Sequence, residues 1–214
     1  MRKLFLILPI LMVVACTNRT QQQETNVITD ENGNVITMMF DELFTEITPT
    51  DISDNVFKLF GQDYVVITAG NESYFNSMTA AYGGLGIQLG VPATWCFLRA
   101  NRYTLEFIRG DHTYTMCWFE DKYKDAVLYY GSMSGRNSDK MANNPLNYII
   151  TPSGNIAYKE ARLIIECNLM EITTVSPDDF YSTKGREFVE EGYMEAQDHH
   201  KLVFGEITKV WRKI

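Results

Sequence analysis

The four cysteines among 214 residues include no Cys-x-x-Cys pair, and no His-rich spacing accompanies them, so a cysteine-based metal site is not expected. No Gly-x-Gly-x-x-Gly run opens a helix and no Walker loop occurs, which argues against Rossmann and P-loop architectures. Positive charge is scarce: 19 Lys and Arg stand against 27 Asp and Glu, a net charge of −8. That balance repels phosphate backbones and excludes nucleic acid as an expected partner. Beyond residue 15, no apolar run reaches the roughly 20 residues needed to cross a bilayer. What remains is 45% hydrophobic and 13% aromatic, enough for one sizeable core. A single globular domain is the expectation.

The N-terminus reads as an address. Arg2-Lys3 is followed by an apolar stretch from Leu4 to Met12, broken only by Pro9, and then by Val13-Val14-Ala15-Cys16. This resembles a bacterial lipobox. The resemblance implies a signal peptide over residues 1–15, cleavage before Cys16, lipidation of Cys16 and an anchor in the cell envelope, on the membrane face outside the cytoplasm. Thr17-Asn18-Arg19 carries no acidic run, which points to a periplasm-facing anchor. Residues 16–26 are polar and include Gln21-Gln22-Gln23, so they read as a flexible tether, leaving 27–214 for the domain.

Within that domain, Val27-Ile28-Thr29 and Val35-Ile36-Thr37 flank Asn32-Gly33-Asn34, a hairpin signal. Ser53 reads as the cap of a helix over 54–60, with Val56, Phe57 and Phe60 facing the core and Gly61 as its stop. Strands are expected at 64–68, 94–99, 113–119, 161–169 and 202–211 from their β-branched and aromatic content. Asn101 can cap a helix over 102–108, and 121–130 places Tyr123, Ala126, Val127 and Tyr130 on one face before Gly131. These elements do not alternate in βαβ fashion, so the expected class is mainly β, an antiparallel barrel with short helices. Cys96, Cys117 and Cys167 each lie in a strand-like run and read as buried small hydrophobes, with one disulfide among them left open.

Three segments carry candidate chemistry. In Asn76-Ser77-Met78-Thr79-Ala80-Ala81-Tyr82-Gly83-Gly84-Leu85-Gly86, small hydroxyl residues precede a Gly-Gly-x-Gly turn. It reads either as a tight turn between strands or as a backbone cradle for a planar or anionic ligand. Arg99-Ala100-Asn101-Arg102-Tyr103-Thr104 places two guanidiniums at a strand-to-helix junction, which suits either a phosphate or a solvated surface. Gly131-Ser132-Met133-Ser134-Gly135-Arg136-Asn137-Ser138-Asp139-Lys140 is a polar loop leaving a helix.

In this order and spacing, together with Asp198-His199-His200-Lys201 and Gly205-Glu206-Ile207 near the end, the segments resemble the flavin reductase-like, FMN-binding split-barrel family over about 57–210. The resemblance implies a split β-barrel that binds FMN and passes hydride or electrons through it, as NAD(P)H:flavin reductases do. Residues Asn76, Ser77, Met78, Thr79, Ala80 and Ala81 would line the flavin ring and ribityl chain, mostly through backbone groups, with Thr79 adding a hydroxyl. Arg99, Asn101, Arg102, Tyr103 and Thr104 would hold the phosphate end. Ser134, Gly135, Arg136 and Lys140 would close the site, and His200 would steady a second substrate or relay a proton. A homodimer is implied as well. Ala100 stands where relatives often carry Pro, Tyr82 where they carry Trp and His199 where they carry Tyr, departures that bear on ring stacking and nicotinamide fit.

Adjacent His199 and His200 on a strand point to opposite faces, so they do not form a metal pair. His112, in a Gly-Asp-His turn, reads as a loop residue. An envelope location conflicts with cytosolic NAD(P)H, so two alternatives stand beside the reductase reading. One is a tethered FMN protein that exchanges electrons with a membrane or periplasmic redox partner; the other is a flavin-free binding lipoprotein.

Overall fold

The structure is a computed structural model and describes residues 25–29, 35–137, 139–143, 146–193 and 198–214. The lipobox, Cys16 and most of the tether lie outside the described residues. The expected hairpin is present as β1 (Thr25–Thr29) and β2 (Val35–Met39), paired antiparallel from Thr25↔Met39 to Thr29↔Val35. Asn26 is buried and exchanges hydrogen bonds with the Ile150 backbone, accepting at 2.7 Å and donating at 3.4 Å. Thr25 and Asn26, assigned to the tether by composition, therefore belong to the fold.

After β3 (Phe44–Ile47), a single turn α1 (Val56–Lys58) widens into a π-turn over Leu59–Asp63. This corrects the helix expected over 54–60. Asn55 rather than Ser53 supplies the cap, accepting from the Lys58 amide at 3.1 Å. The wider turn moves the inward face to Leu59 and Phe60, leaving Phe57 88% exposed and Gly61 inside the turn.

The chain continues through β4 (Val65–Asn71), β5 (Tyr74–Ala80), β6 (Gly83–Gln88), β7 (Val91–Arg99), α2 (Thr104–Asp111), β8 (Thr113–Trp118) and α3 (Lys124–Ser132). It ends with β9 (Tyr148–Ile150), β10 (Ile156–Tyr158), β11 (Leu163–Thr174), α4 (Thr183–Tyr193) and β12 (His200–Lys213). The main sheet runs β5-β4-β8-β11-β12-β7-β6 with every pair antiparallel, and β3 adds to the C-terminal part of β12. Its terminal strands β5 and β6 are separated only by Ala81 and Tyr82, so the chain itself turns the corner that brings the sheet round into a barrel. The Phe97 amide donates to the Tyr82 carbonyl at 3.0 Å and fixes that corner to β7. Register shifts in β11 at Glu166/Cys167 and Leu169/Glu171 bend its long pairing with β12.

Strand alternation sorts the core into two layers. Val65, Ile67, Met116, Ile165, Cys167 and Val203 fill the barrel interior, while Val66, Cys117 and Ile164 on the opposite faces pack with Ala126, Val127 and Tyr130 of α3. Cys96, Cys117 and Cys167 are free and buried, and burial pushes the Cys96 and Cys117 thiols up to about 12. They act as core residues, as their neighbours in sequence suggest.

Candidate functional site

The glycine-rich stretch is two strands joined by a corner at Ala81 and Tyr82, and its glycines lie within the second strand rather than in the corner. Asn76 to Ala80 lie in β5, and Gly83, Gly84 and Gly86 lie in β6 because an aromatic ring crosses them. A Cβ at Gly84 would overlap the Trp95 indole, and one at Gly83 would overlap both the Trp95 carbonyl and the Phe60 ring. The glycines are a groove for Trp95 of the neighbouring strand.

The second and third segments do converge. From Arg99, at the end of β7, the Arg102 amide donates back to the Arg99 carbonyl at 3.0 Å and the chain enters α2. The helix starts at Thr104, two residues later than expected, and Asn101 is exposed and does not cap it. The Thr104 hydroxyl instead accepts from the Asn76 amide at 2.7 Å, joining α2 to β5. Beyond α3, Gly135 presses on Asn76 so closely that any side chain would overlap its Oδ1. Asn76, Met78, Asn101, Arg102, Tyr103, Thr104, Ser134, Gly135, Arg136 and Lys140 thereby line one cavity of about 320 Å³, floored by Tyr130 and Met133.

Two cations dominate its electrostatics. Lys140 is only 3% exposed, and its ammonium donates to the carbonyls of Tyr130 at 3.3 Å and Met133 at 3.2 Å. The Arg102 guanidinium donates to the Gly131 carbonyl at 3.5 Å. Among the described residues neither forms an ion pair. Burial, followed by the nearby Arg102 charge, lowers the Lys140 pKa to about 8. A buried ammonium beside a half-buried guanidinium, with no carboxylate partner among the described residues, makes the cavity electropositive. Arg136 differs: it makes a bidentate ion pair with Glu106 and lies over the Tyr103 ring, 4.5 Å from its centroid.

Five expected residues do not line this cavity. The Ser77 hydroxyl is fully buried and bonded to Thr68 (2.7 Å) and Tyr158 (2.6 Å), and Thr79 donates to the Val127 carbonyl of α3. Neither hydroxyl is turned toward the cavity, because residues 77 and 79 share the face of β5 opposite to 76 and 78. Ala80 is a core residue, and Ala81 forms the corner. Arg99 does not line the cavity either; it sits 3.6 Å from the buried carboxylate of Asp198.

His200 opens β12 opposite Arg99 and faces a second cavity of about 550 Å³. Its imidazole meets the rings of Tyr82 and Phe97 at centroid distances of 6.3 and 6.5 Å. Burial, then the charges of Arg99 and Arg102, push its pKa down to about 4, so it is neutral at pH 7. Phe180, Phe188 and Val189, on and just before α4, form the remaining apolar wall. Sequence reasoning missed this helix. Its signal is Ser182, whose hydroxyl accepts from the Gly185 amide at 3.0 Å, in front of a stretch in which Val189 is the buried residue. His112 is exposed at the end of α2 in a left-handed conformation.

The class is thus an antiparallel barrel protein with a cationic cavity at a strand-to-helix junction. The chain belongs to the flavin reductase like domain family, whose model matches residues 57–213. Flavin binding and flavin-linked redox chemistry are the family's common ground. Solved structures share the fold, which is that of the flavin reductase-like split barrels. An FMN-binding protein from Thermus thermophilus with bound 1-cyclohex-2-enone is 18% identical, with a TM-score of 0.55 over 78% of this chain and 77% of its own. An FMN-binding domain of a flavin reductases-like enzyme from Shewanella baltica is 14% identical, with a TM-score of 0.57 over 79% and 76%. An NADH:FAD oxidoreductase from Streptomyces globisporus is 15% identical, with a TM-score of 0.51 over 70% and 75%. Comparison with curated proteins gave no match.

Proposed function

We propose that the chain is a flavoprotein oxidoreductase that seats the FMN unit of its flavin with the phosphate between Arg102 and Lys140. The observation that carries this reading is a buried Lys140 beside a half-buried Arg102, both with hydrogen bonds to carbonyls and, among the described residues, neither in an ion pair. A dianionic phosphate would supply the missing charge, while the Thr104 hydroxyl, which accepts from the Asn76 amide, would donate to it. Bound flavin would supply hydride and single-electron transfer. The chain's own contribution on the side of a second substrate is a neutral His200 beside the rings of Tyr82, Phe97 and Phe188. NADH as donor is supported by the name of the Streptomyces globisporus neighbour.

The test is flavin binding by the purified protein. FMN is expected to bind near one to one, with riboflavin much weaker, and Arg102→Ala should weaken FMN by roughly tenfold or more, the worth of one charged hydrogen bond. Equal affinity for FMN and riboflavin would remove the phosphate assignment. The Cys16 lipobox favours a second reading, an envelope-anchored flavoprotein that exchanges electrons with a membrane or periplasmic partner. Flavin-dependent NAD(P)H consumption decides for the reductase, and retention of a Cys16→Ala variant in the membrane fraction would refute the anchor. The reading includes a homodimer, supported by the exposed Ile87 and Leu89 at the tip of β6.

A further inference from the structure

The cavity that His200 faces has a different chemistry from the phosphate seat. Rings form its wall in sequence: Phe188 meets Tyr82 at a centroid distance of 6.5 Å, Tyr82 meets His200 at 6.3 Å, and His200 meets Phe97 at 6.5 Å, each edge to face. Phe180, Val175 and Val189 complete the wall with apolar carbon. Among the described residues that line it there is no carboxylate, and Lys184 is the one charged side chain, itself exposed. His200 adds no charge at pH 7, because burial holds its pKa down at about 4. The volume of about 550 Å³ is that of an ordinary small-molecule pocket.

Such a wall selects by shape and apolarity. Rings set edge to face pack a planar aromatic guest by further edge and offset contacts. A dinucleotide would bring a pyrophosphate to a cavity with one exposed ammonium, whereas an uncharged ring leaves no buried charge unpaired. Tyr82 and Phe188 are 52% and 58% exposed, so the aromatic surface continues from the cavity to its mouth. The cavity also lies close to the phosphate seat. Met78 lines the seat and Tyr82, four residues on, lines the cavity, a span of no more than roughly 14 Å. The Arg102 charge in the seat is felt by the His200 imidazole.

We infer that this cavity takes a quinone, an uncharged planar ring that accepts two electrons, as the oxidant of the flavin. This rests on reading the chain as a flavoprotein oxidoreductase. The quinone takes a hydride, two electrons with one proton, from the reduced flavin and a second proton from solvent. Its two C=O groups become C–OH, the hydroquinone leaves, and the flavin is back in its oxidised form, ready for the electron donor. A free quinone and one with an isoprenoid tail share the ring that the cavity recognises.

The experiment titrates 2-methyl-1,4-naphthoquinone and 1,4-naphthoquinone-2-sulfonate calorimetrically against the FMN-loaded and the flavin-free protein, with FMN titrated in parallel. The uncharged quinone should bind one to one and about tenfold tighter than the sulfonate, which carries a charge into an apolar cavity. Phe188→Ala should weaken it about fivefold and Phe188→Tyr should retain it, while FMN affinity stays level in both and verifies that the variants are folded. Under anaerobic conditions, one equivalent of quinone should restore the oxidised flavin absorbance of the reduced FMN-loaded protein. Tighter binding of a geranyl-tailed analogue would assign a lipid quinone, and equal or weaker binding a soluble one. No saturable quinone binding, equal affinity for the sulfonate, unchanged affinity in Phe188→Ala, or displacement of the quinone by FMN would each overturn the inference and leave the flavin reading standing. Quinone binding by a protein that does not bind FMN would instead refute the flavin reading, and the quinone's reduction with it.

Discussion

Lys140 is the residue at which stability and ligand binding pull against each other. Its free side chain titrates at 10.5 and the folded one at about 8, so between those values the unfolded chain holds a proton that the native chain lacks. Ligand-free stability contributed by this group therefore rises with pH through that window. Lys140→Met should flatten the rise and raise the melting temperature at pH 7. Phosphate binding has the opposite slope: FMN affinity should fall as pH climbs past about 8, while riboflavin affinity stays level. Loss of the ammonium should cost FMN about 1.5–3 kcal/mol. A flat FMN affinity from pH 7 to 9.5 would show that Lys140 does not meet the phosphate. The sequence made Arg102, Thr104, Ser134 and Lys140 legible as segments in order. It could not make legible which atoms face the ligand. The hydroxyls of Ser77 and Thr79 are taken by Tyr158 and Val127, partners about 80 and 48 residues away, and no local pattern announces them.

Among the elements, β6 shows most clearly why local reading has a limit. Gly-Gly-x-Gly has the composition of a turn, yet here each glycine answers to a ring on another element, Trp95 or Phe60. The requirement is long-range, so the motif alone could not reveal it. Gly84→Ala should destabilise the fold by about 1–3 kcal/mol through overpacking against the indole. Adding Trp95→Leu should recover part of that loss, because the two substitutions act on one contact. Urea unfolding of the single and double variants measures both effects, and additive losses would refute the groove. The five strands expected from β-branched and aromatic runs all exist because each sets apolar residues into the core, on both faces in β4, β8 and β11 and mainly on one in β7 and β12, a pattern composition reports well. β5, β9, β10 and α4 escaped because they are short, polar or buried at few positions. The π-turn after α1 displaced a core face that a regular helix would have aimed at Phe57.

For the whole molecule, the unresolved balance lies at the end of the sheet. β6 pairs only with β7, and among the described residues its other edge has no strand beside it. Such an edge invites pairing unless something covers it. Ile87 is 73% exposed, and Leu89, 88% exposed, occupies a hairpin turn with Gly90 in which both residues have positive φ. That turn favours Asn or Gly at both positions, so an exposed leucine there is costly in water. A second copy of the chain docked along β6 would bury these side chains and offset the cost. The protein should therefore sediment as a dimer at tens of micromolar, with an interface near the usual ~1,600 Å². Replacing Ile87 and Leu89 together by Asp should give a folded monomer, since neither side chain packs in the core. Tyr82, the residue just before β6, also walls the His200 cavity, whereas the Arg102–Lys140 seat draws on other elements. Monomerisation should thus slow turnover with a second substrate while leaving flavin affinity nearly unchanged. A wild-type chain that remains monomeric at these concentrations, or a monomeric variant that loses flavin and turnover together, would refute this arrangement.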